Sequence, residues 1–167
     1  MNEVKPEIYF LRYAYPCSHI LLKRGEINEK TFELIKKSAI EGKMYITEED
    51  IKRIFWRAFN HLRDISSMEK LKLFWRFEHS KIILEKFSGN LEIARECMVF
   101  PCIVTRTKAN SLIAKMPFFH ETLSLKNELV RDVKKGDRIT KHYSHACEKI
   151  DEETYERMVE ALKKIIR

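Results

Sequence analysis

The hydrophobic pattern of the chain changes its period once, near residue 97, and this change constrains the fold more than any other feature. Before it, apolar residues recur about every three or four positions, which is helical spacing. After it, short runs of β-branched and aromatic residues alternate with polar ones between turn residues. The sequence therefore predicts an α+β protein with an α-helical domain over residues 1–92 and a small β-barrel with a C-terminal helix over residues 93–167.

The predicted helices of the first domain cover residues 7–24, 28–42, 47–62 and 67–87. Asn28 and Thr47 are good N-cap residues for the second and third of them. Pro16 falls inside the first. Because proline is disfavoured in a helix interior but favoured at a first position, we expect Pro16 to kink or restart this helix and to leave Cys17 in a first turn.

The predicted strands of the second domain cover residues 98–105, 112–116, 118–125 and 138–149. Gly136 suits a turn that needs positive φ. Asp151 is an N-cap followed by acidic residues and by an amphipathic helix. About 50 residues of strand and turn can build only one small core, so we expect this last helix to close the barrel.

The composition favours a protein in aqueous solution. The net charge is +7 with 34% charged residues, and the basic excess is spread over both halves, as on the Lys- and Glu-rich surfaces of thermophile proteins. No apolar run approaches the roughly 20 residues of a membrane span. Residues 1–6 carry Glu3 and Lys5 and no apolar core, so we expect no signal peptide, a cytoplasmic location and no membrane partner.

Three stretches of the second half are similar to a known family. They are the segment CMVFPCIV at Cys97–Val104, the strand and turn ending in LVRDVKKGD at Leu123–Asp137, and the segment HYSHACEKIDEE at His142–Glu153. In order and spacing they resemble the HypC/HupF family of hydrogenase-maturation chaperones.

The resemblance implies an OB-like barrel with a C-terminal helix and a non-enzymatic accessory role in metallocentre assembly. It implies as partners a maturation scaffold protein or the precursor of the hydrogenase large subunit, and as cargo an iron–cyanide–carbonyl unit. The essential family cysteine corresponds to Cys97, and the family histidine corresponds to His142.

Cys97 and His142 are also the leading candidates on chemical grounds, because a thiolate and an imidazole are reasonable ligands for iron or zinc. Cys102 lies close in sequence to Cys97, and His145 lies close to His142, so both widen this partner- or metal-binding cluster. On one regular strand, His142 and His145 would lie on opposite faces, so all of them cannot hold one metal without a bulge. The alternative is that these side chains pack in the core.

A second, weaker cluster consists of Cys17 and His19, joined by His79. A thiol in the first turn of a helix has a lowered pKa, but a Cys–His nucleophile also needs a third, orienting group, and the sequence identifies none. A helical core with one polar contact is the competing interpretation.

An OB-type nucleic-acid-binding module is the alternative function, suggested by the barrel and by a pI near 9.2. Its candidate stacking residues are Phe118, Phe119 and Tyr143. We expect no enzymatic activity, because the sequence contains no Gly-rich phosphate loop, HExxH or GxSxG motif.

Overall fold

The structure, a computed structural model, describes residues 3–166. It is an α+β fold with helices first, then a closed five-stranded barrel, then a final helix, as predicted. The elements are α1 Pro6–Lys23, α2 Glu29–Glu41, α3 Glu48–Ile54, α4 Trp56–Leu62, α5 Met68–Leu73, a π-helical stretch Phe74–Glu78, α6 His79–Lys86, α7 Leu91–Ala94, β1 Phe100–Thr107, β2 Ser111–Lys115, β3 Thr122–Lys126, β4 Arg138–His142, β5 His145–Ile150 and α8 Glu152–Ile165. None of these helices combines the length and the apolar character that crossing a bilayer requires.

The chain divides into two compact units, with the division between Phe74 and Trp75. The boundary between the predicted domains, 1–92 and 93–167, lies where helical spacing gives way to strand spacing. Residues 1 and 167, at their outer limits, lie outside the described residues. The two divisions differ because α6 and α7 are helical yet contribute to the same hydrophobic core as the barrel.

The first unit begins with one helix where the sequence predicted an interruption. α1 runs through Pro16, which is buried, and does not restart there. Cys17 therefore lies in the helix interior, and the prediction that it occupies a first turn is wrong. Burial of the apolar residues on both sides, such as Phe10 and Leu21, offsets the backbone hydrogen bond that proline cannot make.

The caps of the first unit follow the sequence closely. The side chain of Asn28 accepts a hydrogen bond from the Thr31 N–H, and Thr47 accepts one from the Asp50 N–H. The predicted helix 47–62 is broken at Phe55, whose φ of −100° and ψ of 35° separate α3 from α4. The ring of Phe55 packs edge-on against Phe10 of α1, 5.6 Å between centroids, so tertiary packing outweighs helix continuation here.

The barrel has the strand order β1-β2-β3-β5-β4 and closes by pairing of β1 with β4. All neighbouring strands are antiparallel except β3 and β5, which are parallel. This arrangement is consistent with a small OB-like barrel. Its interior is filled by apolar residues from every strand, among them Phe100, Val104, Leu112, Leu125 and Ile139.

The final helix closes the barrel as predicted. The Asp151 side chain caps α8 by accepting a hydrogen bond from the Thr154 N–H. Met158 and Leu162 are buried on the inner side of the helix, and Leu162 belongs to the barrel core.

The last predicted strand, 138–149, is two strands. β4 and β5 form a hairpin in which His142 is paired directly with His145 across a two-residue turn of Tyr143 and Ser144. Tyr143 has a φ of 49°, and this left-handed conformation reverses the chain. The condition of one regular strand, under which His142 and His145 would lie on opposite faces, is therefore not met.

Candidate functional site

Three potential metal ligands from distant parts of the sequence converge in the second unit. His79 is the first residue of α6, Cys97 lies in the link between α7 and β1, and His142 is the last residue of β4. Their ligand atoms all lie within 4.8 Å of one another. His79 and His142 are buried and Cys97 is half-buried, so the thiol marks the side of the cluster nearest to solvent.

Side-chain hydrogen bonds hold the elements that carry this cluster. The Ser80 hydroxyl donates to the Val99 carbonyl and accepts from the Val99 N–H, both at 2.9 Å, so it fixes α6 to the segment after Cys97. The Lys141 ammonium donates to the Arg95 carbonyl at 3.1 Å and ties β4 to the segment before Cys97. All three ligands are thus carried by backbone that is bonded to its neighbours.

Aromatic rings surround the two imidazoles. The ring centroid of Trp75 lies 4.9 Å from that of His79 and 5.7 Å from that of His142. The two imidazoles meet edge to face, with 5.0 Å between centroids. The ring centroid of Tyr143, the next residue in the sequence, lies 5.0 Å from that of His142. This packing restricts the rotamers of both histidines.

The Cys97 thiol lies in an environment with opposing electrostatic effects. Burial is the largest influence and raises its pKa above the ordinary value. A hydrogen bond from the Tyr143 side chain and the positive charges of Lys86 and Lys141 act in the opposite direction and lower the pKa. Without a cation at the sulfur the protein therefore favours the neutral thiol, and a bound metal ion would displace the proton.

One thiolate and two imidazoles form a donor set typical of zinc and of other late first-row metals. In a tetrahedral zinc site, bond lengths of about 2.3 Å to sulfur and 2.0 Å to nitrogen place the ligand atoms about 3.3–3.6 Å apart. Since no separation here exceeds 4.8 Å, metal binding would require a contraction of at most about 1.5 Å. Three protein ligands leave a fourth position for water or another ligand.

Cys102 and His145 do not join this cluster. Cys102 points into the barrel core, where complete burial raises its pKa to about 12. The Nε2 atom of His145 lies 3.3 Å from the Oε2 atom of Glu128. Cys102 is thus a core residue, and His145 has an acidic partner of its own.

Two residues of the weaker predicted cluster, Cys17 and His19, lie on α1 in the first unit. The Cys17 thiol donates to the Ala14 carbonyl at 3.1 Å, and the Nδ1 atom of His19 lies 2.6 Å from the Pro16 carbonyl oxygen. Residues two apart on a helix do not face each other, so Cys17 and His19 diverge. His79, predicted to join them, belongs to the second unit and lies within ligand range of Cys97 and His142.

The aromatic residues predicted for base stacking are dispersed. Phe118 is exposed in the loop between β2 and β3. Phe119 packs edge-on against Phe100, and the Arg95 guanidinium lies over its ring. Tyr143 lies beside Cys97. They do not form a continuous stacking surface on one strand face.

The outward face of β2 and β3 is polar and basic. It consists of Ser111, Ile113 and Lys115 on β2 and of Thr122, Ser124 and Lys126 on β3, which the strand register places side by side. No acidic side chain occurs at these six positions. Exposed Arg106 of β1 is paired in register with Ile113 and adds a third cation.

The chain matches no protein-family model, and it has no significant match among curated proteins or solved structures.

Proposed function

We propose that this protein is a non-enzymatic accessory protein that binds a transition-metal ion through Cys97, His142 and His79. The observation that carries the proposal is the convergence of their ligand atoms within 4.8 Å on a hydrogen-bonded framework. Zinc and ferrous iron are the metals whose ligand preferences fit this set best.

The HypC/HupF resemblance supports the same role from a separate direction. It pairs Cys97 with His142 on the grounds of sequence alone, and these two residues lie within ligand range of each other. We therefore propose a role in metallocentre assembly in the cytoplasm, with a maturation scaffold protein or a hydrogenase large-subunit precursor as partner. His79 has no counterpart in the matched stretches and would be a ligand contributed by the helical segment that precedes the barrel.

A metal titration with matched variants tests the binding function. The purified full-length protein is titrated with Co²⁺ and then with Zn²⁺ against a chromophoric chelator. We expect one equivalent to bind, with a sulfur-to-cobalt charge-transfer band. Cys97→Ser is expected to lose the band and at least tenfold in affinity, because the thiolate is the strongest donor of the set.

Cys17→Ser is the matched control. Cys17 is also half-buried, and a serine can keep the hydrogen bond to the Ala14 carbonyl. We expect its titration to equal that of the wild type. Absence of binding in the wild type, or equal losses in Cys97→Ser and Cys17→Ser, would contradict the proposal. Co-purification with a hydrogenase-maturation protein, lost in Cys97→Ala, tests the partner.

Nucleic-acid binding is a second candidate function, favoured by the outward face of β2 and β3. Lys115, Lys126 and Arg106 can contact phosphates there, and small hydroxyl side chains allow a polyanion to approach closely. Affinity for single-stranded RNA and DNA is measured at two salt concentrations, with the double variant Lys115→Glu/Lys126→Glu for comparison. Binding that weakens with salt and is lost in the double variant supports this function, and no binding at low salt excludes it.

A further inference from the structure

Tyr143 occupies a turn position that is unusual for an aromatic residue. It is the first residue of the two-residue turn between β4 and β5, where its φ is 49°. Left-handed backbone is uncommon for residues other than glycine, asparagine and aspartate, and tight hairpin turns select those residues. A tyrosine here therefore carries a conformational penalty that contacts of its side chain have to offset.

Three contacts of Tyr143 lie at the proposed metal-ligand cluster. The Tyr143 side chain forms a hydrogen bond that lowers the pKa of the Cys97 thiol. Its ring lies 5.0 Å from the His142 ring, and its backbone N–H donates to the Glu96 carbonyl at 3.1 Å. Tyr143 thus contacts one ligand directly by hydrogen bonding, packs against a second ligand, and fixes the residue that precedes Cys97.

We propose that Tyr143 is a positioning residue of the metal site, whose hydroxyl donates a hydrogen bond to the Cys97 sulfur and orients it toward the two imidazoles. The inference rests on the proposed metal-binding function and adds a residue that neither the donor set nor the family resemblance identifies. Hydrogen bonds from outside the ligand set orient metal ligands, and their removal typically costs about 10- to 100-fold in affinity.

The hydrogen bond also affects the electronic properties of the thiolate. A donor on a thiolate sulfur withdraws electron density that the sulfur would otherwise share with the metal. Loss of the donor is expected to shift the sulfur-to-metal charge-transfer band to lower energy. A residue that only fills space in the turn would leave this band unchanged, so the spectrum separates positioning from packing.

The test compares Tyr143→Phe with the wild type in a Co²⁺ titration of the full-length protein. Phenylalanine keeps the ring beside His142 and the backbone hydrogen bond, and it removes only the hydroxyl. We expect a tenfold or greater loss of Co²⁺ affinity, a charge-transfer band at lower energy, and an unchanged far-UV circular dichroism spectrum. Tyr45→Phe is the control, because its hydroxyl is bonded to Glu41 at 2.6 Å in the first unit.

Each result has a distinct meaning. The positioning role is supported if the wild type binds Co²⁺ and Tyr143→Phe binds it more weakly with a shifted band. Wild-type binding with the same affinity and band in Tyr143→Phe overturns the positioning role and leaves the metal site intact. No Co²⁺ binding by the wild type overturns the proposed function and the role of Tyr143 with it. Equal effects in Tyr45→Phe and Tyr143→Phe overturn the positioning role as well.

Discussion

Loss of one partner of the ion pair between Arg76 and Glu148 is expected to destabilise the second unit strongly. Arg76 belongs to the π-helical stretch and Glu148 to β5, and the two side chains are only 16% and 14% exposed. The guanidinium contacts the carboxylate through two atoms: Nε lies 3.2 Å from Oε2, and Nη2 contacts Oε1. This bidentate geometry is the strong form of an arginine–carboxylate pair.

Removing one partner should cost much more than removing both. Breaking a fully buried pair from one side costs about 3–5 kcal/mol, because a charge is left desolvated without a partner. The residual exposure of both side chains lets water reach the remaining charge, so we expect about 2–3 kcal/mol for Glu148→Met or Arg76→Met. The double variant should cost about 1 kcal/mol or less, since methionine has a similar volume and no charge.

Urea unfolding of the four proteins in this double-mutant cycle provides the assay. The chain has two tryptophans, and a Trp56→Phe background leaves Trp75 as a fluorescence reporter of the second unit. The expected coupling free energy is about 3 kcal/mol or more, at the upper end of the range found for contacting residues. Single variants that each cost under about 0.5 kcal/mol and add without coupling would refute the reasoning.

Two further predictions concern the stability of the second unit. Leu162→Ala truncates a buried side chain of α8 against the barrel core and should lower the free energy of unfolding by about 2–5 kcal/mol. Lys163→Ala, on the exposed side of the helix, should change it little. Equal effects of the two variants in urea titrations would contradict the packing. A hydrogen bond from the Lys149 side chain, and to a smaller extent one from the Lys134 N–H, hold the pKa of Asp137 below its ordinary value. The ionised carboxylate therefore stabilises the fold above pH about 4, and this contribution is lost as the pH falls through the folded pKa. Thermal melts of Asp137→Asn from pH 7 to pH 2.5 should therefore show a lower Tm at pH 7 and a smaller loss on acidification than the wild type, and parallel curves would exclude the effect.

The architecture was predictable because it depends on periodic features. Helical spacing, cap residues such as Asn28 and Asp151, and β-rich runs act locally, and the structure has helices before the barrel, strands within it, and caps at these two residues. The HypC/HupF resemblance added an OB-like barrel to this expectation. What the local pattern could not supply was the effect of distant contacts, such as the packing that carries α1 through Pro16 and separates α3 from α4 at Phe55.

The candidate site was predictable only in part, for the same physical reason. Cys97 and His142 were identified from their chemistry and from the resemblance, and they lie together in the structure. The proximity of His79 to Cys97 was not predicted, because it depends on how α6 packs against the segment before β1 through Ser80. Sequence spacing carries no information about such a contact.

The Tyr143–Ser144 turn was missed for a different reason. Tyr143 is not among the residues that two-residue hairpin turns select, so the segment 138–149 resembles one continuous strand. The turn exists because Tyr143 adopts positive φ while its side chain is bonded to Cys97. A local preference is violated at the same place where the proposed metal ligands converge, as is common at functional sites.

X-ray absorption at the zinc edge tests the proposed metal centre most directly. The wild-type protein loaded with one equivalent of Zn²⁺ should show one sulfur at about 2.3 Å and nitrogen ligands at about 2.0 Å, with scattering typical of two imidazoles. In Cys97→Ser the sulfur should disappear, and in His79→Ala the imidazole count should fall by one. A first shell of nitrogen and oxygen alone in the wild type, or a sulfur that persists in Cys97→Ser, would contradict a metal site formed by His79, Cys97 and His142.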